Sequence, residues 1–176
     1  AGTAGCIVNE PSADITGCTN TGLALNGAIS VTVSPDGASV YVASRASDAV
    51  AVFDRAGDGT LTQKAGTAGC IVNGASTDIT GCANTGLALD GANSVAMSSD
   101  GTSAYVASYY SNAVAIFDRA ADGTLTQKAG TAGCIVNEPH VDITGCDNTG
   151  LALNGATSVT VSPDGTSAYV ASETSH

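Results

Sequence analysis

The sequence predicts an all-β chain of short antiparallel strands in tandem repeats, about 2.75 of them in 176 residues. Three observations carry this. The pattern Ser30-Val-Thr-Val-Ser-Pro-Asp-Gly-Ala-Ser-Val-Tyr-Val-Ala-Ser44 returns at 94–108 and 158–172. Cys6, Cys70 and Cys134 stand 64 residues apart, which sets units 1–64, 65–128 and a shorter 129–176. Apolar residues alternate with period two, and no helical period is sustained over a useful length.

Each unit can be read in order. It opens with Ala-Gly-Thr-Ala-Gly-Cys-Ile-Val-Asn, followed by a loop that ends in a second cysteine. Thr21-Gly-Leu-Ala-Leu-Asn-Gly27 leads on and has room for a single helical turn at most. Val31 and Val33 then alternate with polar residues, as a half-buried strand requires. Ser34-Pro35-Asp36-Gly37 is turn chemistry: proline presets φ, aspartate bonds the local backbone and glycine accepts positive φ. Val40-Tyr-Val-Ala43 returns as a denser apolar strand. Ala49-Val-Ala-Val-Phe-Asp54 is a third strand, with Val50 and Val52 on one face and Ala49, Ala51 and Phe53 on the other. Asp58-Gly59 turns the chain into a fourth strand, 60–64. Four antiparallel strands per repeat describe a β-propeller blade, and the many alanines and glycines suit sheets crowding toward a central channel. A β-solenoid or stacked sandwich fits less well, because hairpin-linked antiparallel strands do not make a parallel coil.

Charge excludes several partners. Only 12% of residues are charged, yet 16 acidic against 5 basic side chains give a net charge of −11. Nucleic acid needs a basic stripe, and anionic membrane surfaces need a polybasic patch. No apolar run approaches the roughly 20 residues of a membrane-spanning helix, so no membrane insertion is expected. The sequence starts without Met or a secretory leader, which reads as a mature chain or a piece of a longer one.

Six cysteines fall as Cys6 and Cys18, Cys70 and Cys82, Cys134 and Cys146. Their even number and fixed spacing point to disulfides and an oxidising compartment. Connectivity is open among many pairings, of which pairing within each unit is the simplest. Zinc lacks a regular ligand set, since no Cys-x-x-Cys occurs and His140 and His176 are the only histidines.

Three of these segments also resemble a known repeat. Val31-Thr-Val-Ser-Pro-Asp-Gly37, Val40-Tyr-Val-Ala-Ser44 and Ala49-Val-Ala-Val-Phe-Asp54 resemble the YVTN-type repeat of bacterial and archaeal surface propellers. They are also similar to the lactonase-like (phosphogluconolactonase-like) propeller family. The Gly-Thr-Ala-Gly-Cys-Ile insertion with its second cysteine resembles a secreted bacterial subset. The resemblance spans all three units and implies an extracellular or cell-surface protein, usually with about seven blades. No lactonase active-site pattern matches residue by residue, so none is carried over. The lack of Trp counts against a WD repeat. Three blades are fewer than a closed ring needs, so the resemblance implies a longer parent array or assembly with copies of itself.

Catalytic constellations are sparse. The two histidines do not recur between units, and neither a nucleophile elbow, a P-loop nor a dinucleotide fingerprint is present. No cofactor is expected, and calcium is the one candidate. Asp54 and Asp58, and again Asp118 and Asp122, match positions one and five of a calcium loop, with glycine at six. Alanine replaces the third ligand (Ala56, Ala120) and the closing glutamate (Ala65, Ala129), so a hairpin turn is the preferred reading. Asp14, Asp78 and Asp142 recur before Ile-Thr-Gly-Cys, either bonding their own loop or lining a cation or sugar site.

Differences between the units are more informative. Units one and two differ at 16 of 64 positions. All three differ at Ala13/Thr77/Val141, Thr19/Ala83/Asp147, Ile29/Asn93/Thr157, Arg45/Tyr109/Glu173, Ala46/Tyr110/Thr174 and Asp48/Asn112/His176. In a meander these connections share one end, while the nearly constant Asp-Gly turns occupy the other. The variable end is the expected recognition face, with Tyr109 and Tyr110 as exposed anchors and Arg45, Glu173, Asp14, Asp78 and Asp142 around them. A carbohydrate or protein ligand fits such a face. The expected function is a secreted or cell-surface, non-catalytic propeller with a structural or binding role, self-assembling through open blade edges. The alternatives are a lactonase-like hydrolase and a calcium-dependent adhesion module.

Overall fold

The computed structural model describes residues 5–10, 15–74, 79–138 and 143–175. Among them the chain is strand and turn, with 3-10 turns at Gly66–Ala68 and Gly130–Ala132 and no α-helix. β1 (Val8–Asn9) and β2 (Thr21–Gly22) form a short parallel pair. β3 (Ala28–Val33), β4 (Ser39–Ser44) and β5 (Ala49–Arg55) follow as an antiparallel meander. β6 (Leu61–Gln63), β7 (Cys70–Asn73) and β8 (Asn84–Gly86) complete a sheet in the order β3-β4-β5-β7-β8, with β6 also against β5. A second sheet repeats this plan with β9 (Ala92–Met97), β10 (Ser103–Ser108), β11 (Ala113–Arg119), β12 (Leu125–Gln127), β13 (Cys134–Asn137) and β14 (Thr149–Gly150). β15 (Ala156–Val161) and β16 (Ala168–Ser172) pair as a last hairpin. No sheet closes on itself among the described residues.

The turn chemistry explains the hairpins. Ser34 Oγ donates to Asp36 Oδ1 at 2.5 Å, and the same carboxylate oxygen accepts the Ala38 N–H at 3.0 Å. Ser39 N–H closes the turn on Ser34 Oγ at 2.9 Å. The equivalent bonds recur at Ser98, Asp100 and Ser103, and at Ser162, Asp164 and Ser167.

The fourth strand departs from the sequence expectation. It is split, and its second half is the Cys-Ile-Val-Asn segment that the sequence repeat assigns to the start of the next unit. Phe53, Asp54 and Arg55 pair with Gln63, Thr62 and Leu61, whereas Ala49, Val50 and Ala51 pair with Val72, Ile71 and Cys70 respectively. The 3-10 turn at Gly66–Ala68 joins the halves. It needs Gly69, where an added Cβ would lie 2.2 Å from the Lys64 carbonyl oxygen. A sheet thus runs from residue 28 to 86 and crosses the 64/65 sequence boundary. The leading segment continues from β2 into a turn over 23–27 in which Ala24 takes φ 60°. Asn9 Oδ1 accepts the Leu25 N–H at 2.8 Å and Gln63 Oε1 accepts the Leu23 N–H at 2.7 Å.

Successive sheets pack face to face, with β3 against β9 and β9 against β15. The predicted facing of β5 holds. Val50 and Val52 join the core with Tyr41, Ala43, Val95, Val106 and Phe117 of the neighbouring strands. Ala49, Ala51 and Phe53 face the other way, among Ala24, Val40, Val72, Ile7, Leu23 and Leu25. Alanine at 43, 49, 51, 104, 113 and 115 is fully buried, and its small side chain lets the sheets approach closely.

Candidate functional site

The variable positions fall on backbone that the repeat holds fixed. Arg45 N–H donates to the Gly27 carbonyl at 2.9 Å, Tyr109 N–H to Gly91 at 3.0 Å and Glu173 N–H to Gly155 at 2.9 Å. These bonds are main-chain only, so the side chain at this position is free to change from copy to copy. Arg45 follows β4 and Tyr109 follows β10, which brings them together across adjacent sheets. The Arg45 guanidinium lies 4.5 Å from the Tyr109 ring centroid and 5.0 Å from that of Tyr110. The two rings meet edge to face at 5.2 Å and 89°. Arg45 NH2 also donates to Tyr110 Oη at 3.2 Å. Such a cation–π contact contributes about 0.5–1 kcal/mol at an exposed site.

Beside this cluster is an open recess of about 390 Å³, lined by Gly27, Ala28, Ile29, Arg45, Ala46 and Tyr110. Three of the variable columns therefore meet in one place. Tyr110 and Glu173 are exposed, while Tyr109 is half-buried with Arg45 over its ring, a less free anchor than the sequence implied. Thr19, Ala83 and Asp147 are exposed next to buried Cys18, Cys82 and Cys146. The bridges join Cys6 to Cys18, Cys70 to Cys82 and Cys134 to Cys146, each within its unit. Asp14, Asp78, Asp142, His140 and His176 lie outside the described residues, as does the column Ala13/Thr77/Val141.

One variable column has a structural task. Asp48 Oδ1 accepts the Gly91 N–H and Asn112 Oδ1 the Gly155 N–H, both at 2.7 Å, tying each hairpin to the next sheet. Both residues sit at positive φ, 50° and 49°. Aspartate and asparagine share the acceptor oxygen and tolerate the left-handed region, which is why they interchange here. Asp90 lies on the same end. Partial burial, and then the neighbouring Asp48 carboxylate, raise its pKa.

The opposite end carries the constant turns. Asp54 pairs with Lys64 at 2.5 Å, and Asp118 pairs with Lys128. Asp58 and Asp122 accept the N–H groups of Thr60 and Thr124, both at 2.9 Å. Their neighbours are thus lysine and turn backbone. No group of three metal-ligating side chains gathers among the described residues.

Two polar arrangements here were missed in the sequence. Tyr41, fully buried, donates to the Gly123 carbonyl at 2.7 Å and accepts from Arg119 Nε at 2.8 Å. Arg119 NH2 also pairs with Asp36 at 2.7 Å. The Ser34 hydroxyl first, then the Ala38 N–H and Arg119, lower the Asp36 pKa to about 2. In addition, Gln127 clamps Leu87, donating to its carbonyl at 3.0 Å and accepting its N–H at 2.7 Å, as Gln63 does for Leu23. The available signal was constancy: Tyr, Arg and Gln persist in every copy that includes these positions, although a quarter of positions change.

The fold is similar to part of several solved β-propeller proteins, lactonases among them. A putative 6-phosphogluconolactonase from Bacteroides fragilis matches with TM-score 0.53 and 20% identity, over 81% of this chain and 31% of its own. The periplasmic gluconolactonase of Pseudomonas aeruginosa matches with TM-score 0.52 and 20% identity, over 83% of this chain and 36% of its own. Hydrazine synthase of Kuenenia stuttgartiensis matches equally well, with TM-score 0.53 and 20% identity, over 92% of this chain and 33% of its own. The chain spans about a third of the length of these proteins. No protein-family model and no curated protein sequence matches it. At this identity the likeness establishes fold, and the named activities of these proteins differ from one another.

Proposed function

We propose that this chain is a secreted, non-catalytic propeller scaffold that binds a carbohydrate or protein partner through the end bearing Arg45, Tyr109 and Tyr110. One observation carries the reading. The same main-chain bond fixes position 45/109/173 in each copy, while the side chain there is Arg, Tyr or Glu. A rigid frame with varied side chains on one end is how recognition loops are presented. Tyr110 and Ile29 supply apolar contact at the recess, and Arg45 supplies charge and donors. Three disulfides and the absence, among the described residues, of any helix long enough to cross a membrane are compatible with an extracellular site of action.

The chain has no Trp and five tyrosines, two of them Tyr109 and Tyr110 on this face, so the part of the emission change that is lost in Tyr110→Ala reports on the face. Titration with a panel of neutral and acidic oligosaccharides, and with extracellular protein fractions, is expected to shift that emission saturably. Tyr110→Ala is expected to abolish the shift without changing the far-UV spectrum. Saturable binding unaffected by both Tyr110→Ala and Arg45→Ala refutes this face as the site. A lactonase-like hydrolase is the second reading, supported by the lactonases among the fold relatives. Turnover of gluconolactone above the spontaneous rate, lost on replacing a single acidic residue, would establish it instead.

A further inference from the structure

Two side-chain contacts of opposite sign cross the junction between the first and second sheets at the Arg45 end. One is the attraction of the Arg45 guanidinium for the rings of Tyr109 and Tyr110. The other joins two acids. Asp48 Oδ1 accepts the Gly91 N–H at 2.7 Å, which sets its carboxylate beside Asp90 and within hydrogen-bonding reach of that carboxyl group. Two carboxylates this close repel each other unless one holds a proton.

The junction between the second sheet and the last hairpin has the same frame without the charge. Asn112 stands in the place of Asp48, and Asn154 in the place of Asp90. Asn112 Oδ1 accepts the Gly155 N–H, also at 2.7 Å. Ser111 Oγ accepts the Asp90 N–H at 3.0 Å, and Ser175 Oγ accepts the Asn154 N–H at 2.9 Å. The two positions therefore change together, Asp with Asp and Asn with Asn. An asparagine pair keeps the acceptor oxygen and has nothing to titrate.

Each acid is tied to its side of the cluster. Asp48 shares the β4–β5 turn with Arg45, and its carbonyl accepts the Asn73 N–H at 2.8 Å. The Asp90 carbonyl accepts the N–H groups of Tyr110 and Ser111, both at 3.1 Å, while Tyr109 N–H donates to the Gly91 carbonyl at 3.0 Å. A change in the Asp48–Asp90 separation is thus passed to the contact between Arg45 and the tyrosines. Among the described residues the other charged or titratable groups at this junction are Arg45, Tyr109 and Tyr110, with Glu173 one sheet further on; Asp78 lies outside the described residues. Partial burial, and then Asp48, hold the Asp90 carboxyl above its ordinary 3.8.

We propose that Asp48 and Asp90 form a proton-operated latch between the first and second sheets, one that the second junction lacks. With one proton taken from solvent, one carboxyl donates to the other and the junction closes, seating Arg45 over Tyr109 and Tyr110. When the proton is lost, the carboxylates repel and the Tyr109–Tyr110 turn moves away from Arg45. Asp90 binds its proton more tightly in the folded chain, so the closed form is favoured in acid and is lost as pH rises through the folded value. The latch concerns the joint itself and holds whether or not a ligand binds at this end.

The test is a titration of the backbone amides of the whole chain by NMR, from about pH 3 to pH 8. An amide that donates to a carboxylate reports the charge of its acceptor. The Gly91 amide is expected to titrate with a midpoint above 3.8, and the Tyr110 and Ser111 amides to follow the same midpoint. The Gly155 amide, which donates to Asn112, is expected not to follow it. Asp90→Asn is expected to bring the Gly91 midpoint down to 3.8 or below. Asp48→Asn with Asp90→Asn, which reproduces the second junction, is expected to remove that titration from Gly91, Tyr110 and Ser111. The same asparagine pair already stands at 112 and 154, so folding is expected to be kept, as circular dichroism checks. A wild-type Gly91 midpoint at or below 3.8 overturns the proposal. So does a midpoint that Asp90→Asn leaves in place, or Tyr110 and Ser111 amides that stay still while Gly91 titrates.

Discussion

Removing one hydroxyl from the same residue in three copies separates what an inter-sheet junction contributes from what the residue contributes. Tyr41→Phe keeps the ring and its packing. It removes the donor to the Gly123 carbonyl at 2.7 Å and the acceptor for Arg119 Nε at 2.8 Å. The first is a neutral bond, contributing about 1 kcal/mol, and the second involves a charged donor, contributing about 1.5–3 kcal/mol. Arg119 keeps Asp36 at 2.7 Å, so its charge stays partnered. Relief from burying the hydroxyl offsets part of the loss, leaving about 2–3 kcal/mol. For a chain of this length that lowers Tm by about 5–10 °C. Tyr169→Phe removes a hydroxyl from a side chain that is 61% exposed, and in dilute solution it is expected to change stability by less than about 0.5 kcal/mol. Tyr105 is half-buried, and its variant is expected to fall between them. Urea unfolding followed by circular dichroism, with m unchanged, supplies the three values. Equal losses at Tyr41 and Tyr169 would refute the assignment of the energy to the junction.

Other expectations follow from the charges and the bridges. Asp36 binds its proton less tightly when folded, at about 2 against the ordinary 3.8. The unfolded chain therefore holds more protons in that window, and stability is expected to fall as pH drops from about 4 toward 2; Asp36→Asn should flatten this part of a Tm-versus-pH curve. Asp90 has the opposite sign, since its raised pKa means that ionisation opposes folding as pH rises. Asp90→Asn, which matches Asn26 and Asn154 in the other copies, is expected to raise stability at pH 7 by about 0.5 kcal/mol and to give no gain at pH 3. Opening the Cys70–Cys82 bridge by a double serine replacement is expected to cost about 3 kcal/mol in the chain-entropy model, read as a lower urea midpoint.

Much of the fold was legible because period-two patterning and turn chemistry are local. The alternation in 49–53 assigned Val50 and Val52 to one core and Phe53 to another, as found. The ownership of Cys70-Ile-Val-Asn73 was not legible. It pairs with residues about twenty positions earlier, across a 3-10 turn whose only sequence trace is a pair of glycines. The junction lock was not legible either. Tyr41 and Arg119 are 78 residues apart, and nothing in either neighbourhood names the other. At the candidate site, the clustering of Arg45 with Tyr109 and Tyr110 follows from hairpin ends in neighbouring sheets, while the sequence indicated only that these positions vary.

Why the copies vary at one end and not at the other has a physical answer in these bonds. At the Asp-Gly end, side chains make the junction: Tyr41, Asp36 and Arg119 each have a specific partner in the adjacent sheet. A change at the buried Tyr41 takes a partner from the Gly123 carbonyl and from Arg119, and leaving a buried donor or acceptor unpaired costs about 1–3 kcal/mol. At the other end, the backbone makes the hairpin bonds through Gly27, Gly91 and Gly155 carbonyls. The side chains required there are acceptors: Asp or Asn at positions 48 and 112, and the constant serines Ser47, Ser111 and Ser175, whose hydroxyls accept the N–H groups of Asn26, Asp90 and Asn154. Substitution at 45, 109 and 173 therefore leaves the hairpin bonds intact. New side chains are tolerated at positions whose only bond is made by the backbone, as at 45, 109 and 173. The proposed division of labour, recognition at the Arg45 end and inter-sheet adhesion at the Tyr41 end, rests on that asymmetry.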